Sequence, residues 1–280
     1  MRHSPWIAHR LFLLCLFLAL TTITSQSQAE ARPDHRQLPV TRTTGSVLLV
    51  DGGDFEIADA FYHEVMDSIF GEGNWDRYDL AEQGMPDPPE LLLGVLRQYQ
   101  AVIWHTRNIE LLDAASEVLG EYLQPSYPGS PPGRLLLVAP TLYQGLAGLD
   151  PHFRTDGLGI HHLQAPVNSI HIPAAQAALS FGDDLPDLIA DLDVPHATGV
   201  EPLEGTEVLY QMEYCPRCYS VRPPWDPMVG VRRPAIQEST FARAITLTVP
   251  LEYFDNGLTA MQTLVQYHLG VVPNASATSA

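Results

Sequence analysis

Three times between residues 46 and 145, a short apolar run is followed by a turn and then by a helical pattern. That alternation restricts the chain to a layered α/β fold. Ser46 to Val50 (SVLLV) is closed by Asp51-Gly52-Gly53-Asp54, and Ile57, Phe61, Val65 and Ile69 then recur every four positions, which predicts one helix face. Gln100 to His105 (QAVIWH) is the second run, with Leu112, Ala115, Leu119 and Tyr122 marking the helix after it. Arg134 to Val138 (RLLLV) is the third, with a short helix predicted in the 140s. A weaker strand is predicted over Trp75 to Leu80 and a helix over Pro89 to Leu96. Runs that are apolar throughout, rather than alternating, suit strands covered on both faces, so a mostly parallel sheet with helices on both faces is expected. Past residue 150 the pattern changes. Residues 150 to 205 are rich in His, Pro and Asp and carry only short predicted strands, such as Ser169 to Ile172. Residues 207 to 213 (EVLYQME) and 244 to 251 (AITLTVPL) alternate, the latter placing Ile245, Leu247, Val249 and Leu251 on one face, and predict a C-terminal antiparallel portion. Leu258, Met261, Val265 and Leu269 mark a last helix.

The ends of the chain differ from this core. Arg2 and Arg10 precede the apolar run Leu11 to Leu20, and Ser27-Gln28-Ala29 offers small residues where a signal peptidase cuts. Residues 1–29 are therefore expected to be a signal peptide, with export to a periplasmic or extracellular location after cleavage near Ala29. An apolar run of about ten residues falls short of the roughly 20 needed to span a bilayer, so no transmembrane anchor is expected after cleavage. Cys15 follows Leu14 rather than a small residue, which argues against acylation. Residues 30–45 read as a flexible leader, 46–270 as one domain and 271–280 as a disordered tail. Without Arg2 and Arg10, 13 basic residues face 33 acidic ones, a net charge of −20. Such a surface repels nucleic acid and anionic lipid. The chain contains no lysine, which excludes Schiff-base chemistry and a Walker-type phosphate loop.

Several phrases together resemble a known family. VLLVDGGDFEIADAFYHEVMDSI, WDRYDL followed by ELLLGVLRQYQAVIWHT, and GRLLLVAPTLYQG are similar to class I glutamine-amidotransferase-like domains, in particular a subgroup of exported bacterial proteins. GLGIHHLQAPV, EPLEGTEVLYQ and ITLTVPLEYFDNGLTAMQTLVQYHLG resemble that subgroup's closing strands and helix, so the likeness spans roughly residues 46 to 270. It implies a flavodoxin-like, doubly wound sheet whose ligand face lies at the C-terminal strand ends. The family's enzymes place a Cys between glycines in the turn after the strand matching Arg134 to Val138. Here that turn is Val138-Ala139-Pro140-Thr141-Leu142. The family's His and Glu partners have no clean counterpart around Val249 to Asp255, which holds Pro250, Glu252 and Tyr253. Glutamine hydrolysis is not expected.

The remaining candidates each carry two readings. Thr141 becomes a nucleophile only if a base within about 3 Å takes its proton, and His105 is the one base that strand order places nearby. Otherwise Pro140 starts the next helix and Thr141 caps or lines the turn. Asp51-Gly52-Gly53-Asp54 lies where a strand meets a helix at the ligand face. Its aspartates would repel phosphate and suit a cation or a sugar hydroxyl, while the plainer role for Asp54 is that of a helix N-cap. Cys215-Pro216-Arg217-Cys218, in an exported chain without a second CxxC, is expected to be a local disulfide that contributes about 2 kcal/mol. Zinc binding and redox chemistry are its alternatives. His152, His161, His162, His171 and His196 crowd into the irregular insertion without a metal-ligand spacing, so they read either as scattered surface residues or as a transition-metal site. Tyr219 to Pro234, with Trp225, Arg222, Arg232 and Arg233, is either a basic recognition loop or a Pro-stiffened connection. No catalytic residue, metal or cofactor is assigned. The candidate ligand cleft is Asp51, Gly52, Gly53, Asp54, His105, Thr106, Pro140 and Thr141, and the expected partner is a small molecule, a glycan or an envelope protein. The expected function is that of a non-catalytic binding or accessory module. A hydrolase rebuilt around Thr141 and His105, and a metal-binding protein using the His-rich insertion, are the alternatives.

Overall fold

The computed structural model describes residues 47–52, 56–126, 132–145, 148–167, 174–178, 184–190, 194, 197–212, 227–234 and 242–271, all within the compact unit Leu38–Ala280. The chain forms β1 (Val47–Gly52), α1 (Glu56–Phe70), β2 (Asp76–Asp79), α2 (Leu80–Gln83), α3 (Glu90–Leu96), β3 (Ala101–Thr106), α4 (Ile109–Tyr122) and β4 (Arg134–Val138). A 3-10 turn (Leu142–Gly145) and a π-helical turn (Phe153–Gly157) lead to β5 (Ile160–Val167), β6 (Ala174–Ala177), β7 (Leu188–Ile189), β8 (Ala197–Pro202) and β9 (Glu207–Met212). Then follow β10 (Met228–Pro234), β11 (Ala242–Leu247), a 3-10 turn (Leu251–Tyr253), α5 (Gly257–Thr263) and a π-helical turn (Leu264–His268).

The eleven strands form one sheet in the order β2-β1-β3-β4-β11-β10-β9-β6-β7, with β8 joining β10 to β5. The first five are mutually parallel. The rest pair antiparallel, so the protein is a mixed α/β structure with a largely parallel central sheet extended by antiparallel strands.

The apolar runs divide their side chains between two cores because a strand sends successive residues to opposite faces. Val47 and Leu49 of β1, Ala101 and Ile103 of β3, Leu136 and Val138 of β4, and Ile245 and Leu247 of β11 pack with residues of α1 and α5. Leu48, Val50, Val102, Trp104, Leu135, Leu137 and Ala244 pack on the other face with residues of α3 and α4. Each fully buried Val or Leu in these layers contributes about 1.5–3 kcal/mol of transfer free energy. Asn108 caps α4, its side chain accepting from the Glu110 and Leu111 amides at 3.1 and 3.2 Å. Arg134, at the base of β4, donates to the carbonyls of Leu269 at 3.0 Å and Gly270 at 2.9 Å, satisfying acceptors past the last helical turn.

Some expectations change. Ile57 is 62 % exposed, and α1 instead buries Ala58, Tyr62, Val65, Met66 and Ile69. Four-residue steps rotate by about 40° each on a helix, so three of them carry Ile57 some 120° away from Ile69. The strand predicted to run to Leu251 ends at Leu247, and Leu251 is buried in a 3-10 turn, because Pro250 has no amide to continue a ladder. The predicted helix of the 140s is a single 3-10 turn. The insertion is more ordered than its composition suggested, since β5 and β8 form an antiparallel pair. Met228 to Pro234, assigned to the basic loop, is strand β10, where Arg232 meets Glu207 and His268 and Arg233 reaches Thr206 and the Glu204 carbonyl. Ser169 to Ile172, Cys215, Cys218, Trp225, His171, His196, residues 1–46 and residues 272–280 lie outside the described residues.

Candidate functional site

Strand parity assembles the site. Asp51 continues the Val47, Leu49 series and His105 continues the Ala101, Ile103 series, so both point to the α1 face, and the two are register partners across β1 and β3. On β2, Arg77 is in register with Leu49 and Asp79 with Asp51. α1 follows directly after β1 and brings Asp59 and Tyr62 over the same strand ends.

Gly52 lets β1 and β3 approach at this level. A Cβ there would lie 2.6 Å from Thr106 Oγ1 and 2.8 Å from its Cβ. Thr106 is buried; its hydroxyl accepts from the Asn108 amide at 2.9 Å and faces the carbonyls of Asn108 at 3.1 Å and Gly52 at 3.3 Å. It therefore stitches the strand ends together and offers nothing to a ligand.

Arg77 stands among three carboxylates. Its Nη2 donates to Asp51 Oδ2 and lies 3.0 Å from Asp79 Oδ2 and 3.7 Å from Asp59 Oδ2. The second oxygen of Asp51, Oδ1, lies 3.2 Å from His105 Nε2. The imidazole stacks on Tyr62, ring centroids 4.1 Å apart and planes within 9°. Asp51 is 1 % exposed and His105 4 %. Burial opposes ionisation of Asp51, but the contacts with His105 and Arg77 outweigh it and hold its carboxyl well below the usual range. Asp59 moves the other way: partial burial, then the charge of Asp51, push its carboxyl up to about 6. Burial, with Glu252 nearby, also pushes the Tyr62 phenol up.

The opposed shifts fix a pH dependence. A carboxyl whose folded pKa is raised contributes stability that is fully present below its unfolded value near 3.8 and is lost as pH rises through about 6. Asp51 acts in the opposite sense, contributing above 3.8 and losing that contribution only in strong acid. Asp59→Asn, which cannot ionise, is therefore expected to melt higher than the wild type at about pH 7.5 and to show no advantage at about pH 3.5. The Asp59 side chain is 37 % exposed, so solvent screening keeps the gain below about 1 kcal/mol. Melting scans in chelator-containing buffer at the two pH values check this, and a wild-type advantage at the higher pH would contradict it.

The elbow after β4 is occupied by structural bonds. Thr141 donates its hydroxyl proton to the Arg107 carbonyl at 2.8 Å, and Thr198 donates to the Pro140 carbonyl at 2.7 Å. Thr141 and His105 thus do not form a nucleophile–base pair. Beside them Arg107 Nη2 meets Glu252 Oε1 at 2.8 Å, and its guanidinium carbon lies 5.5 Å from the Tyr253 ring centroid.

Of the eight cleft residues chosen from sequence, Asp51 and His105 meet at the centre. Gly52 and Thr106 support them, and Pro140 and Thr141 brace the neighbouring turn. Gly53 and Asp54 lie outside the described residues. Asp59, Tyr62, Arg77, Asp79, Arg107 and Glu252 join the site without having been selected. In the insertion, His152 is exposed and paired with Asp156, and the exposed His161 and His162 rings touch at a tilt of 50°, centroids 3.8 Å apart. Among the described residues, only Asp51, Asp59 and His105 cluster closely enough to share a metal ion.

Fold and site together define a mixed α/β protein with a cluster of carboxylates around Arg77 and His105 at the C-terminal ends of its parallel strands. The chain matches no known family model, nor any curated protein. No helix among the described residues is long and apolar enough to cross a membrane.

Proposed function

We propose that this protein is an exported, non-catalytic binding module. Its scaffold is flavodoxin-like, of the glutamine-amidotransferase type, and its ligand crevice lies at the ends of β1, β2 and β3. The parallel strand order β2-β1-β3-β4-β11 supports the scaffold, because the connection from β1 to β2 runs one way and that from β2 to β3 crosses back to the other side of β1. A crevice opens at such a reversal, outside the carboxyl ends of the strands, and Asp51 and His105 stand there. Helices on both faces agree with this winding. Export rests on the N-terminal sequence, with its charged start, short apolar run and Ser27-Gln28-Ala29.

The observation that carries the non-catalytic reading is the Thr141 hydroxyl, which gives its proton to a backbone carbonyl where the family's enzymes hold a cysteine. A hydroxyl so engaged, with its nearest candidate base turned to Asp51, has no activated oxygen. The ligand that suits the crevice is a cation or a polyhydroxylated molecule, since three carboxylates outnumber one guanidinium and the chain carries a large net negative charge. Purified protein is expected to release no ammonia from glutamine and to hydrolyse p-nitrophenyl acetate no faster than its Thr141→Ala variant. Turnover that Thr141→Ala abolishes would overturn the reading.

A further inference from the structure

We propose that Asp51, Asp59 and His105 bind one divalent transition-metal ion of the Mn²⁺ or Zn²⁺ kind. This rests on the reading of the strand ends as a ligand crevice, and it names the ligand.

The three side chains come from β1, α1 and β3, and one ligand atom from each lies within 4.8 Å of the others. Clustered carboxylates alone would carry little weight. The second observation is the imidazole: His105 is 4 % exposed, and its Nε2 has no hydrogen-bond partner although Asp51 Oδ1 lies 3.2 Å away. Asp59 Oδ1 is likewise buried and without a partner. A buried polar atom left unsatisfied is costly, and two of them on residues of one close cluster call for a ligand between them. The 3.2 Å separation fits that role. Adjacent ligands bound about 2.1 Å from one ion at right angles stand about 3.0 Å apart.

The surroundings favour the same ligand. Arg77 binds Asp51 through Oδ2 and so fixes the carboxylate with Oδ1 on the His105 side, which is how an outer residue orients a metal-binding carboxylate. Tyr62 holds the plane of the His105 ring by stacking. Three carboxylates, Asp51, Asp59 and Asp79, face the single guanidinium of Arg77, an excess of negative charge that favours a cation. An imidazole among the ligands selects Mn²⁺ or Zn²⁺ over Ca²⁺ and Mg²⁺, which prefer oxygen alone.

The test uses the full chain, stripped with EDTA, exchanged into chelator-free buffer and titrated with MnCl₂ while free Mn²⁺ is counted by electron paramagnetic resonance. One equivalent is expected to bind in the micromolar range and to be displaced by ZnCl₂. Asp59→Asn, a substitution at a half-exposed position, is expected to keep cooperative unfolding in EDTA and to bind Mn²⁺ at least about tenfold more weakly. Absence of bound Mn²⁺ up to millimolar concentration overturns the assignment, as does an equivalent retained at full affinity in Asp59→Asn. Neither result affects the non-catalytic reading, which stands or falls on turnover. Conversely, Mn²⁺-dependent hydrolysis lost in Asp59→Asn would confirm the metal site and overturn that reading.

Discussion

Replacing Arg107 with alanine is expected to lower the unfolding free energy by about 3–5 kcal/mol, the range for removing one partner of a buried ion pair. The Arg107 and Glu252 side chains are 12 % and 4 % exposed and meet at 2.8 Å, so both charges have left water. Truncation strands the Glu252 carboxylate near the Tyr62 phenol without its cation. It also removes the cation from the Tyr253 ring, a smaller loss of about 0.5–1 kcal/mol. The Thr141 tether survives, because it uses the Arg107 backbone carbonyl rather than the side chain. Glu252→Gln in the Arg107→Ala background then removes the stranded charge, and the double variant is expected to recover a large part of the loss. Urea unfolding of the four proteins gives the coupling energy directly. If the single losses simply add in the double variant, the pair is not coupled and the account of this corner is wrong.

The importance of that pair was hard to read from sequence, and the reason is physical. The parallel half of the sheet was legible because strands covered on both faces need apolar side chains at every position, as in VLLV and RLLLV. Asp51 and His105 stood out for the same reason: each ends such a run. Arg107, one residue past β3, and Glu252, in a 3-10 turn, meet 145 residues apart in sequence, and neither local pattern points to the other. Arg77 and Asp79 lie on β2, at the edge of the sheet, where charged residues usually face water. The available signal was parity within DRYD, since Arg77 and Asp79 flank the buried Tyr78 and must share the opposite face. Asp59 was obscured by a misplaced stripe on α1. With the apolar face set by Ala58, Tyr62, Val65 and Ile69 rather than Ile57, Asp59 falls at its border in the first turns, over the end of β1. IHHLQAPV was legible as a strand only through the family resemblance, and its pairing with ATGVEP was not, because both are polar and Pro-bearing and bury only a few apolar residues such as Ile160, Ala197 and Val200.

Trp104 is the position where a core substitution is expected to do most damage, and two substitutions there separate volume from polarity. The indole is fully buried on the α4 face of β3, in register with Val50 of β1 and Leu137 of β4. Trp104→Ala is expected to cost about 3–5 kcal/mol, because a central strand held by neighbours on both sides cannot collapse into the void. Trp104→Phe also leaves a smaller void, yet it removes the indole N–H, which is buried without an acceptor. An unsatisfied donor of this kind costs about 1–3 kcal/mol, so its removal offsets most of the lost packing, and the net change is expected within about 1.5 kcal/mol. Because Trp104 and His105 point to opposite faces, Trp104→Phe is also expected to leave Mn²⁺ affinity at the crevice unchanged. Urea midpoints at constant slope distinguish the terms. A Phe variant as unstable as the Ala variant would mean that the indole N–H is satisfied in solution, by a water or by a neighbour that moves to meet it. The buried face of β3 would then be held by a polar contact as well as by packing.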